Sequence, residues 1–443
     1  MAALDELTTP AGDDDVVGGV PARLVAAPRD TAEAAALITA ARGLSVVIRG
    51  GGTKLDWGPP PRDLDLIIDT RRLTGVVEHA AGDLITVVRA GTPMAELHRL
   101  PGQQLALDAP PAATAGGTVA ANASGPRRLR YGTARDLLIG ITVVRPDGTV
   151  TKAGGKVVKN VAGYDLGKLY TGAFGTLGLI TACVFRLHPV PAASAFVRAA
   201  APPGHAARVL AGQFAASALE VNAEPGAEPE LAVLLDGTPA GVRERAAAVA
   251  AVLDGEVSAE PPEWWDVLPW APDGVGVKLT GALSQVPALV ATAVGAGATV
   301  RGSAGTGVLY AGFPAAGTPP GSSPSSASPP SASPPSASPP YASPPYVSPS
   351  GASPTSASPS SGAVSARAPL SASGVVEAGR AVELLRAAAI RAGGHAVVLT
   401  APAGVRDTLD MWGPVPGLEL MRRVKDRFDP EHRFAPGRFV GGI

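Results

Sequence analysis

The residues best suited to chemistry in this 443-residue sequence are clustered glycines, threonines and lysines. Residues 49–58 read R-G-G-G-T-K-L-D-W-G and follow directly on the strand-like run S-V-V-I at 45–48. Three successive glycines remove every Cβ, so a turn there can take positive φ and lie close against a ligand. Successive N–H groups in such a turn form a concave nest that favours oxyanions, typically phosphate. A second stretch, T-A-G-G-T-V-A-A-N-A-S-G at 114–125, follows Pro110 and Pro111 and presents a surface with little side-chain bulk. Such a surface either packs closely on another element or accepts a flat, bulky ligand. A third group comprises G-G-K-V-V-K-N at 154–160, G-Y-D-L at 163–166 and G-A-F-G-T-L-G at 172–178. Glycine clusters separated by strands point to loops converging on one large phosphate-bearing cofactor.

Two nucleotide signatures are excluded. No G-x-G-x-x-G opens a helix after the first strand with an acidic residue about 20 positions on, so a Rossmann site is not expected. The segment 163–168 is one residue short of G-x-x-x-x-G-K-[ST], and Leu169 stands where Ser or Thr is required.

The elements that must position these loops read as follows. Residues 23–26 form a short strand, and Asp30 or Thr31 caps a helix that runs to about Arg42, with Glu33 placed for first-turn donors and Gly43 as the stop. The strand into Arg49 completes a β-α-β unit that delivers the first glycine loop. Residues 64–69 and 85–90 read as strands, Thr92 caps a helix through Leu100, and residues 138–144 form a buried strand ending at the turn Pro146-Asp147-Gly148. After Pro189 the pattern becomes α+β: strands near 196–197, 231–235, 275–279 and 308–313, and a helix over 240–253 opened by Pro239. Residues 318–372 are low-complexity, with a serine–proline step every fifth residue from Ser323 to Ser358. Such a segment cannot bury a core and is expected to be disordered with polyproline II character. A helix over 375–393, a strand over 395–400 and a terminal segment ending P-G-R-F at 436–439 close the chain.

Composition narrows the class. A formal net charge of −1 gives no reason to expect a nucleic-acid partner. The single cysteine, Cys183, excludes an internal disulfide framework and suits a reducing cytoplasm. Residues 1–20 are acidic, without the basic start or apolar core of a secretory signal, and read as a disordered leader. No apolar run of about 18 residues is present to span a membrane.

Residues 22–190 resemble the flavin-binding domain of the vanillyl-alcohol oxidase/PCMH-type FAD family, and within it the FAD-binding subunits of glycolate oxidases. The resemblance rests on R-G-G-G-T-K-L-D-W-G at 49–58, T-A-G-G-T-V-A-A-N-A-S-G-P-R-R at 114–128, R-Y-G-T-A-R-D at 130–136, K-V-V-K-N-V-A-G-Y-D-L at 156–166 and G-T-L-G at 175–178. It implies an α+β fold: a PCMH-type two-subdomain FAD-binding domain at 21–190, then a ferredoxin-like cap domain at 191–317 and 373–443, interrupted by the insertion at 318–372. By the same resemblance Gly50, Gly51, Gly52 and Thr53, after Arg49, hold the FAD pyrophosphate through backbone N–H groups. Thr114, Gly116, Gly117 and Thr118 match a second phosphate-binding segment, and Asn122, Ser124 and Gly125 the part beside the ribityl chain and ring. Gly175, Thr176, Gly178 and Ile180 match the segment near the adenosine half, and Arg438 is kept from the family's terminal N-P-G-R, whose asparagine is replaced by Ala435. Lys156, Lys159 and Asn160 lie between these loops, where the two cations would stabilise an anionic reduced flavin. No histidine or cysteine lies in 49–58 or 114–128, so the FAD is expected to be non-covalent.

What is missing shapes the mechanism. Family members that oxidise 2-hydroxy acids carry an H-x-G-D-G-N-x-H type segment in the cap, which supplies a base and often a metal site. The six histidines here, at 79, 98, 188, 205, 395 and 432, are scattered and none stands in such a motif. No residue is therefore singled out as catalytic, and no metal is expected. The chain has no cysteine cluster to hold iron–sulfur, so it is expected to act on a small 2-hydroxy acid such as glycolate within a complex, beside a second flavin subunit carrying the histidine motif and an iron–sulfur subunit that removes electrons. Its expected place is the cytoplasm, or the inner face of a membrane through those partners. A stand-alone FAD-dependent hydroxy-acid or alcohol dehydrogenase, and a non-catalytic assembly subunit that keeps the fold as scaffold, are the two alternatives.

Overall fold

The computed structural model describes residues 2–156, 165–271, 273–314 and 372–443. Lys159, Asn160 and nearly all of the serine–proline insertion lie outside the described residues.

Apolar β-branched runs set the first layer. Leu24–Ala26, Leu66–Asp69 and Val46–Arg49 lie parallel in a four-stranded sheet whose edge strand, Thr9–Pro10, runs antiparallel. Parallel neighbours require a crossover, and the helix Thr31–Ala40 provides it, burying Ala34, Leu37 and Ile38. Its N-terminus is formed as the sequence indicates: Asp30 accepts from the Glu33 N–H at 2.8 Å, and Glu33 accepts from the Arg29 N–H at 2.9 Å. The acidic leader is not disordered, contrary to expectation. Leu4 and Leu7 pack on the core beneath that helix, Val17 is fully buried, and Asp15 pairs with Arg49 at 2.7 Å. A count of acidic residues does not register a few well-spaced apolar anchors and one half-buried ion-pair partner.

A second, antiparallel sheet has the order Val150–Gly154, Leu138–Val144, Leu179–Arg186, Ile85–Arg89, Val76–Ala80. Cys183 is fully buried within it, and burial pushes its thiol up to about 12, so it serves as a small apolar core residue. The helix expected after Thr92 is shorter, Met94–Leu97 behind Pro93. Thr92 instead exchanges hydrogen bonds with the backbone of Gly75.

Residues beyond Pro189 build an antiparallel eight-stranded sheet in the order Glu256–Ser258, Ala193–Ala200, Glu230–Gly237, Ala218–Ala223, Thr299–Ser303, Val308–Phe313, Val275–Thr280, Ala396–Thr400. The helices Pro239–Leu253, Val286–Gly295 and Ala372–Arg391 pack on it, and their apolar faces form the largest core of the molecule with the strands. The Trp264 indole donates to Glu230 at 2.7 Å, while Trp265 packs edge-on against Phe196.

The chain then returns to its start. Val46 donates to the carbonyl of Arg433 and accepts from the N–H of Ala435, both at 2.7 Å. The Arg433 guanidinium, 5 % exposed, donates to the carbonyls of Ile38, Ala41 and Pro146. A buried cation among carbonyl oxygens closes both ends of the chain onto the strand that leads into the first glycine loop.

Candidate functional site

Four backbone segments converge beside that strand and form an open cleft. Its lining includes Ile48, Gly50, Gly51, Gly52, Thr53, Lys54, Leu55 and Thr70 from one side, and Ala90, Ala113, Thr114, Gly116, Gly117, Ala120 and Ala121 from the other. Phe174, Gly175, Gly178, Ile180 and Arg438 complete it. The space between these walls is about 760 Å³, open mouth included.

Close approach of backbone explains the glycines. At Gly51 a Cβ would coincide with the Ala112 carbonyl, and at Gly50 it would collide with Thr114 Oγ1. The two walls therefore touch through bare backbone at the floor of the cleft. Gly52 takes φ +76°, which turns the chain out again. The N–H groups of Gly51, Gly52 and Thr53 donate to nothing among the described residues, which leaves a row of donors for an anion.

The second wall is a short helix, Ala115–Ala121, where the sequence suggests only a smooth surface. Thr114 is its N-cap, and its hydroxyl accepts from the Gly117 N–H at 3.3 Å. The helix ends at Asn122, held at φ +45°. Two buried polar atoms on this segment lack any partner among the described residues: Thr118 Oγ1 and Asn122 Oδ1. A stripped backbone cradle, unpaired donors and orphaned polar atoms together fit a large polyphosphate-linked cofactor.

Other expected site residues stand behind the lining. Arg49 is spent on Asp15 and Asp69, at 2.7 and 3.1 Å, and anchors the loop rather than facing the cleft. Thr176 is buried, its hydroxyl bonded to the Ala173 carbonyl at 2.6 Å. Ser124 and Gly125 lie past the helix, where both carbonyls accept from Arg128. Lys156 pairs with Glu78 on an exposed edge, not with the cleft. Arg438 does line the cleft, yet it also donates to Leu55 and Trp57 carbonyls at 2.7 Å, so it braces the loop after the glycines. Burial lowers it to about 10. Sequence reasoning missed Lys54, Thr70 and Phe174 in the lining. Lys54 and Phe174 stand inside the quoted motifs and could have been taken from them; Thr70 carries no local signal.

None of the six histidines lines the cleft. His79 bonds to Gln103 and His98 to the Leu107 carbonyl, His188 packs on Tyr131, and His432 pairs with Asp426. Among the described residues no group of three His, Cys, Asp or Glu side chains could hold a metal ion, and no helix is long and apolar enough to cross a membrane.

Residues 22–154 match the family described as FAD binding domain. The chain carries a PCMH-type FAD-binding domain in an α+β fold, and its cofactor is FAD. Over 175 residues it is 34% identical to the glycolate oxidase subunit GlcD of Bacillus subtilis, covering 38% of this chain and 37% of that protein. It is 36% identical over 159 residues to the glycolate oxidase subunit GlcE of Escherichia coli, covering 34% and 45%. A D-lactate dehydrogenase of Archaeoglobus fulgidus is 34% identical over 173 residues, covering 38% and 39%. The matches thus span roughly two fifths of these relatives. The fold extends further: a chitooligosaccharide oxidase superposes with TM-score 0.62 over 98% of this chain and 97% of its own, at 14% identity. An alkyldihydroxyacetonephosphate synthase gives TM-score 0.60 over 94% and 77%, at 16% identity.

Proposed function

We propose that this chain is the FAD-binding oxidoreductase subunit of a complex that oxidises a small 2-hydroxy acid, with glycolate to glyoxylate as the leading reaction. The observation that carries this reading is the cleft with its unpaired N–H donors, on a domain whose relatives include two glycolate oxidase subunits and a D-lactate dehydrogenase. FAD, when bound, accepts two electrons together with the hydrogen of the carbinol carbon. The chain's own part is to hold it. The N–H groups of Gly51, Gly52 and Thr53 take the pyrophosphate, Thr114, Gly116 and Gly117 the facing side, and Thr118 and Asn122 supply the polar atoms left without partners. With no histidine or cysteine in the lining, the flavin is held non-covalently.

Electrons leave through partners, a second flavin subunit and an iron–sulfur subunit, since this chain has one cysteine and it is buried. The assay is a visible spectrum of the purified full chain, acid release of its chromophore, and turnover with and without co-expressed partner subunits. FAD released by acid, with sustained glycolate oxidation only in the complex, is the expected result. A full chain that takes up no flavin refutes the reading, and sustained turnover by the chain alone replaces it with the stand-alone dehydrogenase.

A further inference from the structure

The helical wall of the cleft runs on through Ala123, Ser124 and Gly125 to the boundary with the eight-stranded sheet, where charged side chains from distant parts of the chain meet. Arg128 Nε donates to the Gly125 carbonyl at 2.8 Å, and Nη2 donates to Ser124 and to the Tyr310 hydroxyl, the latter at 3.3 Å. Its Nη1 donates to nothing among the described residues. Arg127, by contrast, is committed to Asp108 and Gln104, both at 2.6 Å. Across the boundary stands Asp266, held at φ +54°, with its Oδ1 2.7 Å from where a Gly125 Cβ would be. Any side chain at 125 would displace that carboxylate. Glu220 closes the back of the cluster: it is 6 % exposed, and its Oε1 is buried with no partner among the described residues.

This arrangement has the parts that a 2-hydroxy acid needs. A carboxylate requires a cation with a free donor, and oxidation at the hydroxyl carbon requires a proton acceptor on the hydroxyl. We propose that this boundary is the substrate site, in which Arg128 takes the carboxylate of a small 2-hydroxy acid and Asp266 takes the proton of its hydroxyl. The proposal rests on the function proposed above. FAD, when bound, would take the hydrogen and electron pair of the breaking C–H bond as hydride. The O–H bond breaks with its proton going to the Asp266 carboxylate, and the carbonyl of the 2-oxo acid forms.

The electrostatics agree with these roles. Solvent reaches Asp266, but the protein packed around its carboxylate and the neighbouring Asp108 lift it to about 7, against the pull of Arg128, Arg127 and Lys54. A base poised near neutral pH is efficient in both accepting and releasing a proton. Burial lifts Glu220 to about 8 against the pull of Arg128, so at neutral pH it is mostly a neutral acid and leaves the Arg128 charge available to a substrate anion.

The test uses the full chain loaded with FAD and two probes: oxalate, which cannot be oxidised, followed by calorimetry, and anaerobic glycolate, followed by flavin bleaching. Asp266→Asn keeps the left-handed backbone that Asn tolerates and removes the charge. Oxalate affinity in the parent chain should weaken as pH rises through about 7, because ionised Asp266 repels the anion. Asp266→Asn should abolish that dependence while slowing bleaching by about 10²–10⁴-fold. Arg128→Lys should weaken oxalate binding about 10–100-fold with FAD content unchanged. Glu220→Gln separates any titration near pH 8. Oxalate bound with the same pH dependence, and bleaching at the same rate, in Asp266→Asn overturns the proposal while the function stands. Oxalate binding that depends on Arg128 and Asp266 without bleaching by any hydroxy acid keeps the anion site and overturns the oxidation reading. A flavin that responds to neither probe refutes both.

Discussion

Replacing Lys425 with methionine should destabilise the protein and loosen its hold on FAD through one buried atom. Lys425 Nζ donates to the Thr176 carbonyl at 2.8 Å, to Asp429 Oδ2 at 2.7 Å and to the Phe434 carbonyl at 2.9 Å. Lys425 and Asp429 side chains are 1% and 0% exposed. Thr176 belongs to the turn that brings Phe174, Gly175 and Gly178 into the cleft, so this one ammonium ties the terminal helix Leu418–Phe428 to the cofactor wall. Three hydrogen bonds from a charged donor would sum to about 5–9 kcal/mol taken singly, but removing the cation also removes its desolvation cost, which already lowers the Lys425 pKa. The net expectation is the cost of breaking a buried pair, about 3–5 kcal/mol, or a fall in Tm of roughly 6–20 °C. Thermal melts of apo and FAD-loaded protein measure it, and the FAD-induced rise in Tm should shrink as well. Asp429→Asn added to Lys425→Met removes the stranded charge while the amide oxygen can still accept from the Phe434 N–H, so the double variant should recover part of the loss. A single variant that melts within about 2 °C of the parent, with an undiminished FAD effect, refutes the idea that this pair fastens the wall.

The cleft and the boundary give two more expectations. Gly51→Ala should abolish FAD retention through gel filtration, because its Cβ meets backbone that cannot swing aside; Gly52→Ala, open on all sides but at positive φ, should cost only about 1 kcal/mol and keep the flavin. Glu220 is lifted in the fold to about 8 from an ordinary 4.5, so the folded state binds the extra proton between those values. The stability tied to that proton is complete below about pH 4.5 and is lost as pH rises through about 8, on the order of 5 kcal/mol in all. Denaturant titrations of Glu220→Gln should show the alkaline part of that slope flattened.

Local structure was readable wherever a few neighbouring residues decide it. The cap of the helix Thr31–Ala40, the strand Leu138–Val144 and the proline-led helix Pro239–Leu253 follow from capping, alternation and a preset φ. The cleft was readable for the same reason, since bare backbone must be written as glycine in the sequence itself. The leader was misread because its order depends on what Leu4, Val17 and Asp15 meet far along the chain. Arg49 stood in the right motif, but only the fold shows that its charge is taken by Asp15 and Asp69.

Arg128 closes the motif at 114–128, but the rest of the cluster where the cleft wall meets the eight-stranded sheet lies beyond any motif for a stronger reason. Asp108, Arg128, Glu220, Asp266 and Tyr310 stand on five separate segments, and no spacing relates them. A histidine in one short pattern is not the only possible source of a base. Proton transfer asks only for an acceptor with a suitable pKa at the reacting atom, and a carboxylate crowded by protein and by a second carboxylate reaches that range without an imidazole. Gly125 ties the two halves of the site together. Its bare backbone lets Asp266 approach, and its carbonyl helps to fix Arg128. A side chain at 125 should therefore disturb both the anion-binding cation and the proton acceptor, while the glycine loop at 50–52 is left to hold the cofactor.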